Sequence, residues 1–155
     1  MISNEQIIEE SLEFINEKEF PCVVAKAALA RNHVKSFVSS HMACPASDSS
    51  ILQFLYNFVD QYRLSSESYH SAAVIFKGPV DTDERAFDAL LWERLKALSI
   101  LDKANYKHDI RVGADPEAAN YSYSLKSEAS FVVGLHPGSG RRSRRLKYPS
   151  LIFNP

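Results

Sequence analysis

Cysteine is scarce in this chain of 155 residues: there are two, Cys22 and Cys44. They stand far apart with no C-x-x-C pair, so neither a disulfide framework nor a cysteine zinc motif is expected. Long apolar runs are missing as well. None approaches the ~20 residues that span a bilayer. The first residues, MISNEQIIEES, lack the basic start and apolar stretch of a secretory leader. Net charge is almost absent, with 18 basic and 19 acidic side chains, which removes any global pull towards nucleic acid or an anionic membrane. A cytoplasmic protein with reduced thiols is the expectation. Internal repeats, low-complexity tracts and linkers are absent too, so the chain reads as one domain, 1–155, long enough for a substantial core.

What is present alternates between helical and strand-like patterns. Ser3 and Gln6 form a capping box, and Ile8, Leu12 and Ile15 follow at helical spacing, predicting an acidic amphipathic helix over 4–17. Residues 22–31, CVVAKAALAR, are ambiguous: Val23-Val24 favours strand and the alanines favour helix. His33 to Ser39 reads as a short strand. Asp48 and its serine neighbours are expected to cap a second long helix with Leu52, Leu55, Phe58, Val59 and Tyr62 on one face. Ala72 to Phe76 is a continuous apolar run bounded by Gly78-Pro79, the pattern of a central strand buried on both faces. Asp81 and Glu84 suggest another capping box, opening a helix over 83–102 whose apolar face carries Phe87, Leu90, Leu91, Leu95 and Leu98. Residues 103–120 are polar and read as a loop, long enough to be functional or mobile. Tyr121–Leu125 alternates as a half-exposed strand. Phe131–Leu135 reads as a buried strand, and Leu151–Phe153 as a last one. The fold class that follows is α+β (or α/β), helices packed on a mixed sheet of about four to five strands.

The charge is unevenly placed. Residues 1–20 carry six glutamates against Lys18, whereas 136–155 carry Arg141, Arg142, Arg144, Arg145 and Lys147 with no acid. An imidazole, His136, stands where an apolar strand ends, and the arginines follow a Gly/Ser turn. That pairing suits an anionic, metal-containing cofactor such as haem, whose iron takes an axial nitrogen and whose carboxylates take positive charge. His33, His41, His70 and His108 show no H-x-H, H-x-x-x-H or H-E-x-x-H spacing, which argues against a locally encoded zinc or non-haem iron site. Pro137-Gly138-Ser139-Gly140 offers backbone donors for an anion but is not a Walker loop. Ser139 has no nucleophile elbow. Cys22, in an apolar stretch, reads as an inert core residue, and Trp92 as a core tryptophan rather than the wall of a cofactor pocket.

Five segments together carry a family resemblance: FPCVVAKAAL (20–29), AAVIFKGP (72–79), FDALLWERLKAL (87–98), SYSL (122–125) and FVVGLHPGSGRRSRRLKYPSLIFNP (131–155). In this order they resemble the YqcI/YcgG family, which includes haem-dependent N-hydroxylases of the guanitoxin-biosynthesis type and relatives acting on arginine. The GLHP–arginine–YP–FNP block is the most specific. The resemblance implies haem b as cofactor and O₂-dependent hydroxylation of a guanidine nitrogen, on arginine or an arginine-derived metabolite, in secondary-metabolite biosynthesis. His136 matches the histidine of the HP block and is the candidate proximal ligand of the iron. Arg141, Arg144 and Arg145 match the basic stretch and are candidates to meet the propionates. An external electron donor is required, since no flavin or nicotinamide fingerprint is present. Neither nucleic acid nor membrane is expected as a partner. Members of the family usually continue past the FNP block, whereas this chain stops at Pro155, so against that pattern it reads as a truncation, a proteolytic fragment or a short homologue. The competing expectation is a non-enzymatic protein that binds haem or grips an anion with its arginines.

Overall fold

The computed structural model describes residues 2–155. Four helices and five strands make a mixed sheet with helices on both faces. The elements are α1 (Asn4–Ile15), α2 (Val23–Ala30), β1 (Val34–His41), α3 (Asp48–Leu64), β2 (Ser71–Gly78), α4 (Glu84–Lys103), β3 (Tyr123–Leu125), β4 (Glu128–Leu135) and β5 (Ser150–Asn154). The strand order is β1-β2-β5-β4-β3. β1 and β2 run parallel, with Val34 opposite Ser71, and α3 is the crossover between them. β5 runs antiparallel to both of its neighbours, with Ala72 opposite Phe153 and Val133 opposite Ile152. β3 and β4 form a hairpin around Lys126 and Ser127, whose φ values of 52° and 61° give the doubly left-handed turn that a two-residue hairpin needs. The expected fold class, α+β with a mixed sheet, is the one observed.

Alternation along the strands divides the core. Val74 and Phe76 of β2 and Leu151 and Phe153 of β5 face α3 and α4, where they meet Leu55, Phe58, Leu95 and Leu98. Ile75 of β2 and Ile152 of β5 face the other way, against Ile7, Ile15 and Ala25 of α1 and α2. β2 and β5 are central and apolar on both faces, which is why their sequences are continuous hydrophobic runs rather than alternating ones.

Several local expectations need correction. The ambiguous segment is helical: Val23–Ala30 forms α2, with Cys22 as its N-cap and the Sγ accepting from Ala25 N at 3.5 Å. Alanine propensity prevails there because the segment packs as a helix on the sheet through Ala25 and Ala28, both 0% exposed. The first helix keeps its Ser3–Gln6 capping box but ends at Ile15. Asp48 is not a cap; a single 3₁₀ turn, Pro45–Ser47, runs straight into α3, and the Asp48 carboxylate turns inward to Arg94. Asp81 is not the cap of α4 either. Asp83 is, its carboxylate accepting from Ala86 N at 2.7 Å. β3 is shorter than expected and wholly buried. β4 is not buried along its length, because its outer neighbour β3 has only three residues; Phe131 is 68% exposed.

Trp92 is also misread by the sequence pattern. It lies about 100° round α4 from Leu91 and about 60° from the inward-facing Leu95, at the margin of the apolar face, and it is 43% exposed.

Candidate functional site

The residue pattern of β4 ends in Gly-Leu-His, and each of the three does something different. Leu135 is 0% exposed and sits in the core with Val133. Gly134 faces α4 so closely that an added Cβ would stand 2.7 Å from Phe87 and 2.8 Å from Leu91. The missing side chain is therefore what lets α4 rest on the strand. His136 then leaves the strand with its ring stacked on Phe87, centroids 4.2 Å apart and planes 16° from parallel.

The turn that follows is fastened to the start of α4. Gly138 lies against the backbone carbonyl of Thr82, leaving no space for a Cβ, and Gly140 N donates to Glu84 Oε1 at 2.7 Å. Within the turn, His136 N donates to Arg144 O at 3.2 Å and Arg144 N to Arg141 O at 2.9 Å. The backbone thus folds the arginine stretch back over the histidine.

Between this turn and the first turns of α4 is an open cavity of about 570 Å³. His136, Arg141 and Arg144 all line it, together with Glu84, Arg85 and Asp88. Arg145 does not line it; its Nε donates to Ser139 O at 2.6 Å and braces the turn. Glu84, Asp88 and Leu91 share one face of α4 at spacings of four and three. That spacing is legible in the sequence, where Glu84 and Asp88 stand one helical turn apart. Three guanidinium groups and two carboxylates give the lining a small positive excess of both-sign charge.

Two polar atoms here are sealed from solvent without a hydrogen-bond partner: His136 Nδ1 and Arg144 Nε. Buried donors and acceptors are nearly always paired, so such orphans mark strain or a missing ligand. Burial pushes the His136 imidazole below its ordinary value of 6.5, an effect only partly opposed by the negative charges of Glu84 and Asp83. The ring is therefore neutral at pH 7, the state in which a nitrogen lone pair can bind a metal. With Nδ1 sealed in, Nε2 is the nitrogen left for that bond.

Among the described residues, no cluster of three or more His, Cys, Asp or Glu side chains is arranged to hold a metal ion. A haem iron asks the protein for one axial nitrogen rather than a cluster, and its carboxylates ask for cations. The donor set of this cavity, one neutral imidazole with Arg141 and Arg144 beside it, fits those requirements.

The polar segment after α4 is less loose than its sequence suggests. Asp109, 3% exposed, takes both Arg111 Nε and Arg111 Nη2 on its carboxylate and accepts from Ala129 N at 2.9 Å. These hydrogen bonds hold its carboxyl well below the usual carboxylate range. Asp109 is thus occupied by a guanidinium of its own chain.

Comparison with known proteins gives two matches. The model of the YqcI/YcgG family matches residues 11–155. A Bacillus subtilis (strain 168) protein named "Uncharacterized protein YqcI" is 27% identical over 157 aligned positions, covering 94% of this chain and 61% of that protein. The chain therefore spans about three-fifths of the length of the curated relative it matches. No solved structure matches it. No helix among the described residues is long and apolar enough to cross a membrane.

Proposed function

Starting from the fact that this chain belongs to the YqcI/YcgG family, we propose that it is a haem-dependent N-hydroxylase acting on the guanidine nitrogen of arginine or an arginine-derived metabolite. The observation that carries the proposal is the convergence of His136, Arg141 and Arg144 on one cavity. An imidazole that could hold a haem iron and guanidinium groups that could meet its carboxylates line one cavity, where the most family-specific segment of the sequence folds over α4.

When bound, haem supplies the activation of O₂, with one oxygen atom going to the guanidine nitrogen and the other to water at the expense of an external two-electron donor. The chain's own residues do the rest. His136 offers a neutral imidazole, held in orientation by the stacked Phe87 ring. Arg141 and Arg144 offer guanidinium groups for the propionates or for a substrate carboxylate. Asp88 and Glu84 supply the negative charge that a planar guanidinium substrate needs, on the helix face opposite those arginines. A cavity with charges of both signs suits a zwitterion better than a simple anion.

A second reading, a non-enzymatic anion-binding protein, is favoured by the orphaned Arg144 Nε alone. Reconstitution with haemin separates the two. The hydroxylase reading expects a stoichiometric Soret band that shifts with CO after reduction, is lost in His136→Ala, and is accompanied by N-hydroxyarginine when arginine, O₂ and a reductant are supplied. A His136→Ala protein with an unchanged haem spectrum would remove the ligand assignment. Absence of haem uptake, with phosphate binding that depends on Arg144, would leave the anion module.

A further inference from the structure

A second cavity, of about 650 Å³, opens between the C-terminal half of α4 and the segment that follows it. Its walls are apolar: Trp92, Leu95, Ile100, Tyr121 and Tyr123. Trp92 and Ile100, about two turns apart on α4, are 43% and 64% exposed, large apolar surface left in water on one helix. The Trp92 and Tyr121 rings stand in a V, centroids 6.5 Å apart and 42° between planes. The segment that closes the cavity is fixed rather than loose. Gly113 N donates to Asn120 O, Ser122 N donates to Gly113 O, and Asp109 clamps Arg111 behind them.

The polar groups in the lining are almost all cationic or donor-bearing. Lys96 and Lys103 line the cavity, and no Asp or Glu does. Lys103 Nζ is taken up by its own chain, donating to Asp102 Oδ2 at 3.2 Å and to Ser124 O at 3.5 Å, whereas Lys96 makes no ion pair among the described residues. His108 also lines the cavity, and its Nε2 is buried without a hydrogen-bond partner. An apolar chamber of this size with a few convergent polar groups is the usual form of a small-molecule site. The lysine charge selects the ligand: an anionic acceptor complements it.

We propose that this cavity binds a small aromatic carboxylate, its ring against Trp92 and Tyr121 and its carboxylate towards Lys96. The site is separate from the His136 cavity, with which it shares no lining residue, and it does not depend on haem binding there.

Trp92 is the one tryptophan of the chain, so its emission reports on this cavity and on the smaller one beside it that Trp92 also lines, and the Lys96 and Ser99 variants assign the signal to this one. The full chain is titrated with 1-naphthylacetate and, separately, with the neutral isostere 2-(1-naphthyl)ethanol. A saturable change in Trp92 emission with the acid is expected. Lys96→Glu, an exposed position, weakens the acid at least tenfold and leaves the alcohol unchanged. Ser99→Phe, which fills the chamber, abolishes both, with the circular dichroism spectrum checking that it is folded. No saturation up to about 1 mM, the weak limit of specific binding, overturns the proposal, as does equal weakening of acid and alcohol by Lys96→Glu. Displacement of naphthylacetate by stoichiometric haemin also overturns it, because the chamber would then be a haem seat rather than a separate site.

Discussion

Phe87 lies face to face with His136, ring centroids 4.2 Å apart, so the helix that covers the sheet also fixes the plane of the imidazole. Phe87 is 5% exposed and belongs to the core beneath α4. Phe87→Ala is expected to cost about 3–5 kcal/mol of stability, read from denaturant unfolding. The same change admits water to the ring, and the His136 titration measured by proton NMR should move up towards 6.5. An unmoved titration would show that burial by Phe87 is not what depresses it.

Acid should weaken the fold through His136. Its folded-state value is depressed, so between that value and 6.5 the unfolded chain binds more protons than the folded one. The stability contribution of the neutral ring is complete above 6.5 and is lost as pH falls below it. His136→Gln, which cannot charge, should flatten that part of the stability–pH curve. An identical slope in the variant would assign the effect to another group.

Gly138→Ala places a methyl group on the Thr82 carbonyl, a backbone obstacle that cannot swing aside. Loss of about 1–3 kcal/mol is expected for forced overpacking of this kind. Because the same turn carries Arg141 and Arg144, ligand uptake at the His136 cavity should fall together with the melting temperature. A variant that melts like the parent would contradict the close approach.

Arg94 and Asp48 form a buried pair, 3% and 6% exposed, with Nε and Oδ1 3.4 Å apart and Arg94 Nη1 donating to Met42 O. Burial raises the Asp48 carboxyl, and Arg94 pulls it back only in part. Arg94→Met should cost about 3–5 kcal/mol at pH 7, since it strands a buried carboxylate. Without the guanidinium the carboxyl rises further, so the deficit should shrink as pH is lowered and Asp48 takes a proton. A deficit independent of pH would point to lost packing instead.

Asp109 behaves oppositely. Arg111 and the Ala129 amide hold its carboxyl below the ordinary value of 3.8, so its contribution is present above 3.8 and disappears only in stronger acid. Amide exchange at Ala129 should stay protected from pH 7 to about 4. Asp109→Asn should lose that protection at every pH and loosen the wall of the Trp92 cavity.

Much of the architecture was legible because it depends on local periodicity. The apolar run at 72–76 announced a central strand, and Ser3 with Gln6 announced a helix start. What escaped depends on distant partners. Nothing near Asp48 in sequence indicates that Arg94 draws it inward, and nothing near Asp81 indicates that Asp83 is the residue reaching Ala86. The site was half legible. His136, Arg141 and Arg144 converge as the motif suggested, but Phe87, Glu84 and Asp88 join them only because Gly134 lets α4 lie so low. Trp92 was assigned to the core because its helix is amphipathic, a pattern that cannot separate a residue at the margin of the apolar face from one inside it.

The position of β5 has a consequence for biosynthesis. This strand follows the other four in sequence, yet it lies between β2 and β4, bonding to both. Until residues 150–154 emerge, the nascent chain holds a parallel pair and a hairpin with no seam between them, each showing an unpaired edge. The sheet closes from the middle once β5 has been made. The preceding turn, which carries the arginines and follows His136, is drawn into place by the same event, so the core and the His136 cavity are completed together.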